Sequence, residues 1–464
     1  MSTISELTSL QNTLNSAIDV FKAELAAQNL PEPSLNTSQR HPMDEPTFLP
    51  SPRLYEARKT VVASLGLIKL LVASPYEIIL GQTWAPLDVA SMRLVAEMEV
   101  PGILASAPNP EKGLTIDEIS RETGVNAVKF EGILRLLVSQ GWFRESQPGY
   151  FANSRLTNLV KKGSKTYFLP TYMNNLIHQV SASLPDMINH SDPEFRHSTD
   201  HSKTAFQLQF KTELPFLGVN SWLANNPSDA YGFGQSMGAV GLTSDPGILA
   251  DFPWEATAEG KDAIIDVGGG QGTLCCSLAA KFPHIQAAFI VQDLPETRDV
   301  AERFIQSQGQ SHRVKFQAHD FFEPQQRKGK NVFVIQRVLH DWTTEKAAQI
   351  IGNIRDVLDE DSCLLIIESI IQPSYASPTG PSFRDSLQHL GNKFTSIPPP
   401  PFIPVDFGDS SRIQHQVNLC VRVFCNSCER TLPQFEEMIK VADMKIKKIH
   451  GTRSWESITE VITT

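Results

Sequence analysis

Long apolar runs are missing from this chain of 464 residues. A membrane helix needs about 20 consecutive apolar residues, and the best stretch here, Leu65 to Ala73, is interrupted by Lys69. No membrane partner is expected. Positive charge is also short, with 41 Lys and Arg against 51 Asp and Glu, a formal charge of −10. General binding to nucleic acid or anionic lipid needs a basic surface, so no nucleic-acid partner is expected either. The six cysteines are too few for the disulfide framework of a small secreted scaffold. Cys425 and Cys428 have C-x-x-C spacing, but neither a second pair nor a histidine pair completes a zinc set, so no metal is expected. Met1 to Lys22 lacks the basic stretch, apolar core and small-residue site of a secretory signal. The expected location is cytoplasmic.

What is present suggests several units. Ile4, Leu7, Leu14, Ile18, Phe21 and Leu25 recur at the spacing of an amphipathic helix. That stripe packs on its own subunit or embraces a second one. Pro31, Pro33, Pro42, Pro46, Pro50 and Pro52 then break any helix, so residues 1–52 read as a helix and a proline-rich linker. Residues 53–165 are helical and then compact. Thr115 caps Ile116 to Thr123, Gly124 turns, Ala127 to Gln140 repeats apolar residues, and short strands surround Trp142-Phe143 and Tyr150-Phe151. Helix, turn, helix and ribbon predict a winged-helix-like unit. Its second helix carries Lys129 and Arg135 but also Glu131, and the preceding helix is acidic, so a structural or dimerising use fits better than DNA binding. Residues 166–250 read as a helical connector.

From 251 to 464 short apolar strands alternate with helices: Ala263 to Val267, Ala287 to Val291, Val314 to Phe316, Val332 to Ile335 and Leu364 to Ile367. This predicts an α/β domain with a mostly parallel sheet covered on both faces. Met444 to His450 and Ile458 to Thr463 suit an edge hairpin.

The first of these strands ends in Asp266-Val-Gly268-Gly269-Gly270-Gln271-Gly272. Glycines at a strand-to-helix turn let the backbone approach a nucleotide-like ligand at the carboxyl edge of the sheet. A dinucleotide fingerprint fails because the sixth position from Gly268 is Thr273, and no Lys-Ser/Thr pair marks a phosphate loop. Asp293 closes the second strand and is placed to accept hydrogen bonds from ribose hydroxyls. The ligand reads as a nucleoside without phosphates.

At this point the sequence resembles the class I S-adenosylmethionine-dependent O-methyltransferases of the caffeate type, and more closely their fungal sterigmatocystin-type branch. The matching stretches are Asp266 to Gly272, Gln292-Asp293-Leu294-Pro295, His319-Asp320-Phe321-Phe322, Arg337-Val-Leu-His340-Asp341-Trp342, Leu365-Ile-Ile-Glu368 and Cys428-Glu429-Arg430-Thr431 through Phe435. The resemblance implies a Rossmann-like domain that binds S-adenosyl-L-methionine, preceded by a winged-helix-like dimerisation domain. It also implies a homodimer and a small hydroxylated acceptor, aromatic or polyketide-like.

Methyl transfer to a hydroxyl needs alignment and removal of a proton, and a positioned imidazole can accept it. The resemblance makes His340 the base, flanked by Glu368 and Glu429. Asp266, Gly268, Gly270, Gly272, Asp293, Leu294, Asp320 and Phe321 fall on the cofactor side. So does Gln336, which stands where plant members carry a lysine. Met237, Asp341, Trp342, Asn418 and Arg422 are placed at the acceptor, Asn418 replacing the aspartate of the family's Asp-Leu. Ser374 to Asp409, with Pro398 to Pro401, is a longer stretch than plant members have and reads as a pocket rim or a surface excursion. The alternative function is a pericyclase of the same fold, which keeps the cofactor and rearranges its substrate without methyl transfer.

Overall fold

The computed structural model describes residues 5–388, 390 and 394–464. Its carboxyl-terminal part is built on seven strands: β1 Ala263–Val267, β2 Ala288–Asp293, β3 Val314–Ala318, β4 Asn331–Gln336, β5 Cys363–Glu368, β6 Met444–Gly451 and β7 Ser457–Thr463. Their spatial order is β3-β2-β1-β4-β5-β7-β6. The pairings among β3, β2, β1, β4 and β5 are parallel, while β7 runs antiparallel to β5 and to β6. The expected edge hairpin therefore joins the sheet through its second strand.

Both faces of the sheet are covered, which is why the strands read as continuous apolar runs instead of alternating ones. Successive side chains point to opposite faces. Ile265, Phe333, Ile335, Leu364 and Ile366 enter one core with Ile351 and Phe435. Ile264, Phe289, Val332, Val334, Leu365 and Ile367 enter the other with Leu278 and Cys275. The strand order reverses between β1 and β4, and the carboxyl edge at such a switch point is where α/β sheets hold ligands.

Ahead of the sheet, helices Ile116–Thr123 and Ala127–Ser139 pack with strands Leu114–Thr115, Phe143–Gln147 and Tyr150–Asn153 around Ile119, Phe130, Leu134, Phe143 and Phe151. Thr115 and Glu118 form the capping box that starts the first of these helices. On the second, Arg135 is engaged by Glu131 and Glu145, each at 2.8 Å.

The first helix, α1 (Glu6–Ala27), packs along α2 (Pro52–Val72). Its covered face is Leu10, Thr13, Ala17, Val20 and Leu25, whereas Leu7 and Ile18 are exposed. The covered stripe is thus offset from the one read from the sequence, because α1 carries apolar residues on two adjacent faces and α2 takes only one. Ile4 lies outside the described residues. The next helix, α3 (Pro75–Glu97), turns by 117° from α2. Among the described residues no single helix is long and apolar enough to cross a membrane.

Of the two readings of the 374–409 stretch, neither describes its packing. Phe383, Leu387, Ile397, Ile403 and Phe407 close over Leu10, Ala17, Val20, Ala57 and Ala63, so these residues form a strap that fastens α1 and α2 to the carboxyl-terminal part. Arg453 donates to the carbonyl of Pro50 at 2.7 Å, and the Tyr55 hydroxyl donates to that of Ser454 at 2.9 Å, on the same seam.

Candidate active site

The glycine loop follows β1 directly. Gly268, Gly270 and Gly272 have φ of +73°, +55° and +88°, the left-handed region that side-chain-bearing residues avoid. Space is limiting as well: a Cβ on Gly268 would lie 2.9 Å from Val338, and one on Gly272 2.9 Å from Val291. At Gly270 it would meet nothing within 4 Å, so here the loop backbone stands open to a ligand. Asp293, at the end of β2, braces this loop. One carboxylate oxygen accepts from the Gly270 N–H at 2.8 Å, and the other from the Leu294 N–H at 2.8 Å and the Thr297 hydroxyl at 3.0 Å.

Phe321 follows β3 and its ring would lie 3.5 Å from a Cβ on Gly268, which brings it beside the loop. Its neighbour Asp320 accepts from the Phe322 N–H at 2.9 Å. Asp266 is buried, and burial, with Asp293 second, pushes its pKa up to about 7.

Just past β4, Arg337 adopts φ +54°. Its guanidinium reaches Asp245 at 3.0 Å and Glu456 at 3.1 Å, while the Gln336 amide lies 3.4 Å from Glu456. Three residues on, His340 sits in a single helical turn, Leu339–Asp341, buried at 9 % exposure.

Two glutamates converge on it. Glu368 ends β5, and its carboxylate accepts from the His340 backbone N–H at 3.0 Å. The short strand Ile370–Ile371 then pairs in parallel with Arg430–Thr431, which draws Glu429 to the same edge. Glu429 Oε1 lies 2.6 Å from His340 Nδ1. Asp341 Oδ1 is 3.7 Å from Nε2. Burial opposes the imidazolium, but the carboxylates of Glu429, Asp341 and Glu368 outweigh it and push the His340 pKa up to about 10. Burial likewise pushes Glu368 up to about 7, against the pull of His340.

The turn that carries His340 is clamped from the Glu429 side. Arg430 donates to the carbonyls of Leu339 and Trp342 at 2.8 and 2.6 Å, and the Ser427 hydroxyl to that of Trp342 at 2.7 Å. Trp342 packs edge-on against Phe321 and Phe322 and stacks on His201 with ring centroids 4.7 Å apart.

The remaining candidates divide between two places. Met237 packs into a cluster of Phe206, Phe216, Phe233, Trp222 and Phe424 in the connector and the helix Arg412–Cys425. Asn418 and Arg422 lie on that helix too, but line a separate cavity of about 190 Å³ next to Glu429 and Cys428. There Asn418 accepts from the Glu429 N–H at 3.0 Å, and Arg422 donates to the Asn426 carbonyl at 2.9 Å.

Sequence reasoning passed over Arg337, Asp245, Glu456, Arg430 and His201. For Arg337 and Arg430 a signal existed, since both stand inside quoted motifs. Asp245, Glu456 and His201 are single residues far from any motif, and only folding brings them in.

The geometry suits a nucleoside-bearing ligand with a charged end. The backbone at Gly270 is open beside the Asp293 carboxylate, and Arg337 lies beside Asp245 at the same sheet edge. Among the described residues no group of three or more His, Cys, Asp or Glu is placed to hold a metal.

Residues 248–387 match the family model described as the O-methyltransferase domain. Curated relatives include the O-methyltransferase tpcA of Aspergillus fumigatus, 26 % identical over 98 % of this chain and 96 % of that one. Another is the O-methyltransferase cicE of Emericella nidulans, 28 % identical over 90 % of this chain and 81 % of that one. Among solved structures, human N-acetylserotonin methyltransferase in complex with S-adenosylmethionine is similar at TM-score 0.64, with 17 % identity, 84 % of this chain and 98 % of that one covered. A structure described as a pericyclic reaction enzyme is similar at TM-score 0.69, with 17 % identity, 98 % of this chain and 100 % of that one covered. Residues 248–387 thus match an O-methyltransferase domain, and the chain is similar over most of its length to curated O-methyltransferases.

Proposed function

We propose that this protein moves a methyl group from S-adenosylmethionine to a hydroxyl of an aromatic or polyketide-like metabolite, with His340 as the general base. The observation that carries this is the buried pair His340 Nδ1 and Glu429 Oε1 at 2.6 Å. An Nδ1–H donated to Glu429 leaves the Nε2 lone pair to accept a proton, at the sheet edge that also carries the glycine loop. The bound cofactor supplies an electrophilic methyl on a sulfonium.

The chain's own groups do the rest. Asp293 and the loop backbone orient the nucleoside, and Arg337 takes the carboxylate of the amino-acid end. Glu429, assisted by Glu368 at the backbone, fixes the imidazole and stabilises its charge as the hydroxyl proton arrives. The carboxylates of Glu429, Asp341 and Glu368 raise the pKa of His340, and a cation bound beside them would favour its base form. The acceptor, on this reading, lies on the side that carries Met237, which packs against the buried aromatic cluster.

Similarity to a pericyclic reaction enzyme over 98 % of the chain supports a second reading, in which the cofactor is held but not consumed. Incubation with methyl-labelled S-adenosylmethionine and a panel of phenolic polyketides and hydroxyquinolones, beside His340→Ala, separates the two. Labelled product lost in the variant supports transfer, whereas an isomerised product of unchanged mass with intact cofactor supports the pericyclase.

A homodimer belongs to the same proposal. Leu65, Leu70, Leu71 and Val72 on α2 and Tyr76, Ile79, Leu80, Trp84 and Leu87 on α3 are all exposed, and a concentration of apolar side chains in solvent is what a partner surface would cover.

A further inference from the structure

The turn between β6 and β7, residues 452–456, is tied down at every residue. The Thr452 hydroxyl donates to the Glu456 carbonyl at 2.6 Å, and the Glu456 N–H donates to Ser454 Oγ at 3.0 Å. Arg453 grips Asp251 through its backbone N–H at 2.7 Å, Nε at 3.0 Å and Nη2 at 2.5 Å. The Trp455 carbonyl accepts from the Gln414 amide and its indole N–H donates to the Thr243 hydroxyl, both at 2.9 Å. Pro50 and Tyr55 bind the same turn at Arg453 and Ser454, so segments distant along the chain converge on it.

What this mount presents to the site is Glu456. Its side chain has no exposed surface and pairs with Arg337 Nε at 3.1 Å, while Asp245 holds Arg337 Nη2 at 3.0 Å. Asp245 and Asp251 are the first and last residues of one short helix. At 1.5 Å per residue, about 9 Å of helix therefore joins the acid on Arg337 to the acid on Arg453. Gly247 lets this helix lie directly on the turn, since a Cβ there would be 2.7 Å from the Arg453 carbonyl oxygen. A free arginine side chain samples many rotamers, and a ligand then has to fix it on binding. Here Nε and Nη2 are fixed in advance by two acids, and both acids are fixed by the helix and the turn.

We infer that Arg453, locked on Asp251, is a positioning residue of the cofactor site, holding the 452–456 turn and the Asp245–Asp251 helix together so that Glu456 and Asp245 aim the Arg337 guanidinium. The inference rests on Arg337 receiving the amino-acid end of S-adenosylmethionine. It adds that the aim of that group is set by an ion pair with no bond to Arg337 itself. The amino-acid end is common to S-adenosylmethionine and S-adenosylhomocysteine, so both forms depend on Arg453 to the same extent.

Titration calorimetry on the full-length protein with both forms tests this as a double-mutant cycle. Arg453→Lys keeps the charge beside Asp251 and loses the forked geometry. It is expected to weaken both forms at least fivefold, by factors that agree within about twofold. Arg337→Lys should weaken both as well, and adding Arg453→Lys to it should cost less than about twofold more, because the group being aimed has gone. Gly247→Ala pushes the turn off the helix without altering a charge, and should reproduce the Arg453→Lys result where that variant melts below the assay temperature. Full additivity of the two losses overturns the inference, since a merely structural arginine would weaken binding whatever stands at position 337. Unchanged binding in a folded Arg453→Lys or Gly247→Ala protein also overturns it. Arg337→Lys that binds both forms as the wild type does overturns the assignment of Arg337 itself, a different result from additivity.

Discussion

Replacing Glu429 by Gln keeps the shape of the side chain and removes one charge from the most buried contact of the site. His340 and Glu429 are 9 % and 3 % exposed, and their 2.6 Å contact is charge-assisted, so solvent does little to screen it. Hydrogen bonds to charged groups contribute about 1.5–3 kcal/mol, and at about 1.4 kcal/mol per decade that amounts to roughly one to two orders of magnitude in rate. Two effects then separate with pH. Glu429 is the largest of the influences that push the His340 pKa up to about 10, so its loss lets the imidazole give up its proton at lower pH. The same loss removes the group that orients the ring and stabilises its charge as the proton arrives.

The expected outcome is a pH–rate profile whose rising limb moves toward acid while its plateau falls about 10- to 100-fold. The stability effect has a definite sign. A histidine whose pKa is raised by folding contributes stability that is complete below its unfolded value of about 6.5 and is lost as pH climbs through about 10. Glu429→Gln should therefore lower the melting temperature most at about pH 6.5 and just below it, and least above pH 10. The assays are methyl transfer from labelled cofactor, NMR titration of the imidazole and thermal melts across pH. An unmoved His340 titration, or a plateau equal to the wild type, refutes the pairing as the source of base function.

Three other outcomes follow from the same structure. Gly268→Ala forces a side chain into φ +73° and 2.9 Å from Val338, with about 1–2 kcal/mol of backbone strain alone, and calorimetry should show cofactor binding weakened at least tenfold. Phe383→Ala removes a ring 1 % exposed from the strap over α1, at an expected cost of about 3–5 kcal/mol read from denaturant unfolding. Trp84→Glu places a charge in the exposed patch on α3 and should convert a dimer to monomer in light scattering.

The strand sequences alone specified the sheet, because a strand covered on both faces must be apolar at consecutive positions, and Ala263–Ile265 of β1, Val332–Ile335 of β4 and Leu364–Ile367 of β5 read that way. The glycine loop was legible for a related reason, since a left-handed turn at a strand end leaves glycine as the workable residue. His340, Glu368 and Glu429 were named through their motifs, each an order of residues along the chain. What the sequence could not contain was which atoms meet. Glu429 reaches His340 because Arg430–Thr431 pairs with Ile370–Ile371, a contact between segments some 60 residues apart. Asp245 and Glu456 join Arg337 from segments about 90 and 120 residues away along the chain, and one acidic residue in a helix or turn looks like any other until burial removes its water. The offset stripe on α1 and the strap over it have the same origin: periodicity shows that a face is apolar, and only packing decides what covers it.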